Sequence, residues 1–120
     1  METPPCEIWL TENIRCIVSP EDFEWARQWC WGVTWNSTKK KAYATRMTRE
    51  RGTRKQVKIY LHKEILVRSG KVRPGPTYRM GDHQDGESLN NRRGNLEWAT
   101  PSINRQTAGG FHARRQALWQ

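Results

Sequence analysis

The sequence predicts an α+β fold: an N-terminal three-stranded antiparallel sheet with a helix, followed by a compact strand, loop, strand, helix unit. Three observations predict it. Between residues 29 and 61, apolar side chains recur at alternate positions in three runs separated by polar turns, the period of half-buried strands. Two segments carry helix punctuation, one beginning at Ser19-Pro20 and one ending at Gly70. Finally, Tyr78 to Thr107 holds two short strand-like runs before a helix start at Thr100-Pro101.

Along the chain, residues 1 to 5 read as a frayed start and Ile14 to Val18 as a first short strand. Ser19 then stands as an N-cap, Pro20 as a first helical residue that needs no N–H partner, and Glu21 and Asp22 where the helix dipole favours anions. A short helix should run to about Gln28. From Trp29 the period becomes two, with Trp29, Trp31, Val33 and Trp35 sharing a face. Large aromatics so spaced should pack against a helix. Asn36 to Lys41 supplies a turn, Ala42 to Thr48 a second strand, Gly52 another turn and Gln56 to Leu61 a third strand. Leu61, Ile65 and Leu66 then switch to helical spacing, which Gly70 ends. Lys71 to Pro76, stiffened by Pro74 and Pro76, reads as a connector, so residues 1–70 form one unit, 71–110 a second and 111–120 a basic tail.

A chain of 120 residues suits a single domain with a modest core. Its net charge is +9, unevenly spread: the first 24 residues carry −5 and the remainder +14. An acidic lead on a basic body is the signature of a polyanion binder, and arginine forks pair two-pronged with phosphate. The three cysteines lack C-x-x-C spacing, which argues against a disulfide framework and a four-cysteine zinc site. A zinc site borrowing a histidine stays open as an alternative. No apolar run reaches the length of a membrane span, and Met1 to Leu10 is too acidic and interrupted for a signal peptide. The expectation is a cytoplasmic protein with reduced thiols and no membrane partner.

The chemistry concentrates in Tyr78 to Thr107. A strand ends at Asp82-His83; twelve residues on comes Asn95, opening a second strand, and nine further comes Asn104, one turn into the capped helix. A helix folded across that hairpin would bring a carboxylate, an imidazole and an amide to one pocket. Asp82-His83 or Asn90-Asn91 alone would be ordinary loop chemistry; the full spacing is what carries the signal.

On these residues the chain resembles the HNH (ββα-metal) endonuclease family, above all its small phage and intron-associated members. They share D-H-x-D-G, L-N-N-R-x-x-N-L and a short helix ending in Asn. The resemblance covers Tyr78 to Thr107. More weakly, Ile17 to Trp35, Ala42 to Arg46 and Leu61-His62-Lys63 look like the Trp-containing sheet and Leu-His-Arg helix of the same proteins, a sheet also similar to the plant AP2-type DNA-binding sheet. The resemblance implies a DNA endonuclease that hydrolyses phosphodiesters with one divalent ion. His83 would be the general base, Asp82 and Asn104 would hold Mg²⁺ or, second, Mn²⁺, and Asn95 would bond the backbone near His83 and orient the imidazole. Arg79, Arg92, Arg93 and Arg105 would clamp phosphates.

The family pattern is departed from at four positions. Lys63 replaces an arginine, and Asn104 stands where many members have histidine, favouring Mg²⁺ over zinc or nickel. Gly81 and Gln84 replace apolar residues, which should loosen the first strand. His62 reads as structural or phosphate-contacting and His112 as exposed. The implied partner is DNA, with no small-molecule cofactor, a monomer or weak homodimer, and a bacterial host cytosol as the setting. The alternative is a non-catalytic DNA-binding module with a degenerate ββα unit. An RNA-binding protein fits less well, because no exposed-aromatic RNA signature is present.

Overall fold

The computed structural model describes residues 6–38 and 40–106, with side chains described as far as Ile103. The fold is α+β, and three small sheets share one core. Strand β1 (Cys6–Trp9) pairs antiparallel with β2 (Arg15–Val18), and β2 pairs parallel with the two-residue β7 (Asn90–Asn91). The second sheet is the antiparallel β3 (Gly32–Trp35), β4 (Ala42–Arg49) and β5 (Gln56–Tyr60). The third is the hairpin ladder of β6 (Met80–His83) and β8 (Leu96–Ala99), reached through a 3-10 turn at Arg93–Asn95. Helices α1 (Pro20–Ala26), α2 (Leu61–Ser69) and α3 (Pro101–Gln106) complete the order. None of the helices is long and apolar enough to cross a membrane among the described residues.

Helix α2 is the central beam. Leu61, Ile65 and Leu66, three residues at helical spacing, are fully buried and reach a cluster that includes Val18, Ala26, Trp31, Ala44 and Leu96. Gly70 stops the helix in the left-handed conformation, φ 75°, that glycine adopts without penalty. The following connector is pinned rather than free. Lys71 donates to the carbonyls of Arg93 and Leu96, while the Trp98 indole donates to the Lys71 carbonyl at 2.9 Å.

Where expectation and structure differ, a distant partner is the reason. Ser19 occupies the N-cap of α1, but its hydroxyl accepts from the Arg93 amide at 3.0 Å instead of from its own helix. The expected strand start at Trp29 moves to Gly32, because the buried Trp31 turns its indole N–H onto the Ala26 carbonyl at the end of α1, at 2.8 Å. Trp29 packs edge-on to Trp25 and Trp31 beneath the Arg46 guanidinium, whereas Trp35, at the end of β3, is 51% exposed instead of packed. Strands β1 and β7 had no local signal.

The joint between the two halves of the chain is an ion cluster. Asp22, expected as a dipole-stabilising acid on α1, is instead completely buried and accepts from Arg93 at 2.9 and 2.7 Å and from Arg68 at 3.3 Å. Paired so, Arg93 has its guanidinium pKa raised, chiefly by its hydrogen bonds to Asp22. A buried carboxylate is tolerable only with such partners. Arg93→Met would leave it with Arg68 alone, and is expected to lower the unfolding free energy by about 3 kcal/mol in urea titration. Asp22→Asn should cost less, since both arginines are partly exposed and regain water. Equal costs would show that burial of Asp22 is not what the arginines offset.

Candidate active site

Asp82 and His83 end strand β6, where the ladder opposes them to Glu97 and Leu96. Both are buried, Asp82 to 2% and His83 to 6% exposure. Side chains alternate along a strand, so Gly81 and His83 share the side that faces α2 and Asp82 leaves from the other. The Asp82 carboxylate still lies close enough to raise the pKa of both His83 and Tyr43 by its charge.

The imidazole is held by Asn91. Its Oδ1 lies 2.7 Å from His83 Nε2 in a buried contact, and Asn91 itself is 1% exposed. The same amide bonds the Cys16 thiol in the sense that lowers a thiol pKa, as a donor to sulfur does. With its nitrogen on Cys16 and its oxygen on the imidazole, Asn91 accepts from Nε2–H and leaves Nδ1 with the free lone pair. Burial pushes the His83 pKa below its usual value against the raising effects of Asn91, Asp82 and Asp85, and the Lys41 charge lowers it further. The ring is thus an uncharged acceptor at neutral pH.

The loop from Gln84 to Asn95 is closed by Asn95. Its Oδ1 accepts from the Asp85 amide at 3.0 Å, its Nδ2 donates to Asp85 Oδ1 and to the Asn90 carbonyl at 2.9 Å each, and its carbonyl accepts from the Gln84 amide at 2.9 Å. Burial raises the Asp85 carboxyl pKa, but hydrogen bonds from Asn90, the Glu87 amide and Asn95 outweigh it and hold the group below the usual range. Gly86, at φ 78°, makes the turn, and its carbonyl accepts from Lys41. Ser88 donates to the Ala42 carbonyl, fixing the loop to β4.

Aromatic rings close the other side. Tyr43 from β4 and His62 from α2 stand 6.1 and 4.8 Å from the His83 ring, and Tyr60 stands 5.7 Å from His62. Beside them opens a cavity of about 300 Å³ walled by Tyr43, Tyr60, His62, Lys63, Met80 and Gly81.

Of the residues expected here, Asp82 and His83 are both buried at the end of β6 with their side chains on opposite sides of the strand, and Asn95 binds the backbone at Gln84 and Asp85 just beyond them. The imidazole itself is contacted by Asn91. Asn104 is the fourth residue of α3, which packs on β6 and β8 behind the Thr100 cap, but its side chain and that of Arg105 lie outside those described, as do residues 107–120 with His112. Arg79 and Arg92 are exposed, each with its Nε on a nearby oxygen, Pro76 O and Asn90 Oδ1, both at 3.0 Å. Arg93 is not displayed to solvent in that way, its fork being closed on Asp22. Gly81 stands paired with Trp98 in β6, and His62 occupies the space a side chain there would take. Tyr43 and Lys41 carry no local sign of a place beside the imidazole, and His62, expected as structural or phosphate-contacting, is buried against it. The one local hint was the doubled Asn90-Asn91.

As for metal, no group of three or more His, Cys, Asp or Glu is near enough to share an ion among the described residues. A Mg²⁺ site does not need one: this ion takes one or two protein oxygens and keeps several waters, and a buried carboxylate beside an amide-bearing helix fits that chemistry.

No family model matches the chain, and neither a curated protein nor a solved structure matches it.

Burial pushes the Cys16 thiol pKa up to about 12, whereas Cys30 is exposed. Iodoacetamide at pH 8 is therefore expected to label Cys30 of the native protein promptly and Cys16 only after unfolding, as read by peptide mass spectrometry. Labelling of Cys16 at the Cys30 rate would mean that the β2–β7 ladder over it is open.

Proposed function

We propose that this chain is a metal-dependent DNA endonuclease of the HNH (ββα-metal) kind. The observation that carries the reading is the buried Asp82–His83 pair at the end of β6, with the imidazole uncharged and bonded at Nε2 to Asn91. An imidazole so held is suited to taking a proton at Nδ1 from an attacking water. Asn91 keeps that tautomer, and Asn95 keeps the loop behind it in shape. Asp82 and Asn104 would hold Mg²⁺; when bound, the ion supplies charge stabilisation at the phosphate and the leaving 3′ oxygen. Arg79, Arg92 and Lys63 are exposed around the site, and the net charge of +9 favours a polyanion.

Without an extended reading element among the described residues, weak sequence specificity or nicking is the expected behaviour. The test is relaxation of supercoiled plasmid with Mg²⁺ or Mn²⁺. Nicking should appear with either ion, vanish with EDTA, fall about 10³-fold in His83→Ala and fall roughly 10- to 100-fold in Asn91→Ala. Protein that retards DNA in a gel yet never nicks it would instead be a binding module.

A further inference from the structure

Gly81, two residues before His83 on β6, has no room for a side chain. A Cβ built there would overlap Cδ2 of His62 and stand 3.0 Å from its Nε2 and 3.2 Å from Leu66 Cδ1. The glycine thus opens a slot in β6, and α2 fills it with an imidazole. In that slot the His62 ring lies 4.8 Å from the His83 ring at an interplanar angle of 49°, while Tyr43 touches both, at 5.8 and 6.1 Å.

The slot matters because of how His83 is otherwise held. One hydrogen bond, from Nε2 to Asn91, fixes a point on the ring but leaves it free to swing about that bond as its side-chain torsions change. A ring packed this closely, tilted at 49°, restricts that swing, since rotation forfeits close contacts or drives the rings together. His62 is suited to this place. Burial, with the charges of His83 and Lys63, holds its pKa well below the usual histidine value, so two imidazoles can lie together without like charges meeting.

We infer that His62 is a positioning residue of this site: seated in the slot left by Gly81, it braces the His83 ring so that the bond to Asn91 selects one ring orientation. The inference deepens the nuclease reading and, for its kinetic consequence, rests on it. It also gives the glycine a reason, because at this position any larger residue displaces the brace.

The test uses His62→Ala, His62→Phe and Gly81→Ala in the full chain, with circular dichroism and thermal melts to establish folding. Long-range ¹H–¹⁵N spectra of the histidines report the tautomer and mobility of His83 directly, and plasmid nicking gives kcat and KM. In the folded Ala variants the His83 signals should broaden or show mixed tautomers. Their kcat should fall by roughly 10- to 100-fold, with KM held within about threefold. His62→Phe, which restores a flat ring, should return a single sharp His83 tautomer and most of kcat. Unchanged His83 signals in His62→Ala, or a Phe variant as impaired as the Ala one, would overturn the inference. Should Gly81→Ala not fold, the His62 pair decides alone. If the wild-type protein cuts no DNA, the nuclease reading fails while the His83 spectra still decide whether His62 braces the ring.

Discussion

Asn91 has two obligations that can be met together in only one place. Its backbone lies in the parallel ladder with Val18, and its side chain spans from the Cys16 thiol to the His83 imidazole. A side-chain amide buried to 1% exposure must satisfy both its donor and its acceptor, so the ladder, the thiol and the imidazole are set relative to one another. Shift β7 by one residue and Asn90 would face the core in its place, with its bond to Asp85 lost. The geometry at His83 is thus inherited from a two-residue strand.

That strand joins ends that lie far apart in sequence. Between Val18 and Asn90 the chain builds α1, the sheet β3-β4-β5 and α2, and it returns to β2 only after β6. Parallel pairing over such a span brings a large loop-closure cost, which two ladder residues cannot offset. The offset comes from the Asp22 cluster, the Lys71 staple and the burial of α2 against β6 and β8. The basic body follows the same division of labour: Arg93 and Arg68 serve the fold, and Arg79 and Arg92 stay on the surface.

The site also shows how polar chemistry is kept buried at tolerable cost. His62 and His83 share a low-dielectric pocket as uncharged rings, and Asp85, whose carboxyl stays ionised, is wrapped by donors from Asn90, Asn95 and the Glu87 amide. Each element around the pocket contributes one constraint: β4 brings Tyr43, α2 brings His62, β7 brings Asn91 and β6 brings the glycine that lets them meet. The imidazole is confined by Asn91 on one edge and by the rings of His62 and Tyr43 beside it.

By itself the sequence determined whatever is decided within a few residues. The Ser19-Pro20 and Thr100-Pro101 helix starts, the Gly70 stop, the alternating runs of β4 and β5, and the strand ending at Asp82-His83 follow from backbone propensity and side-chain period. Tertiary structure alone decided the rest. It drew the Ser19 hydroxyl to Arg93, turned Trp31 onto α1, closed the Arg93 fork on Asp22, and gave the imidazole to Asn91. Such choices turn on which polar groups become buried together, because a donor or acceptor cut off from water takes the partner within reach, however distant in sequence that partner is.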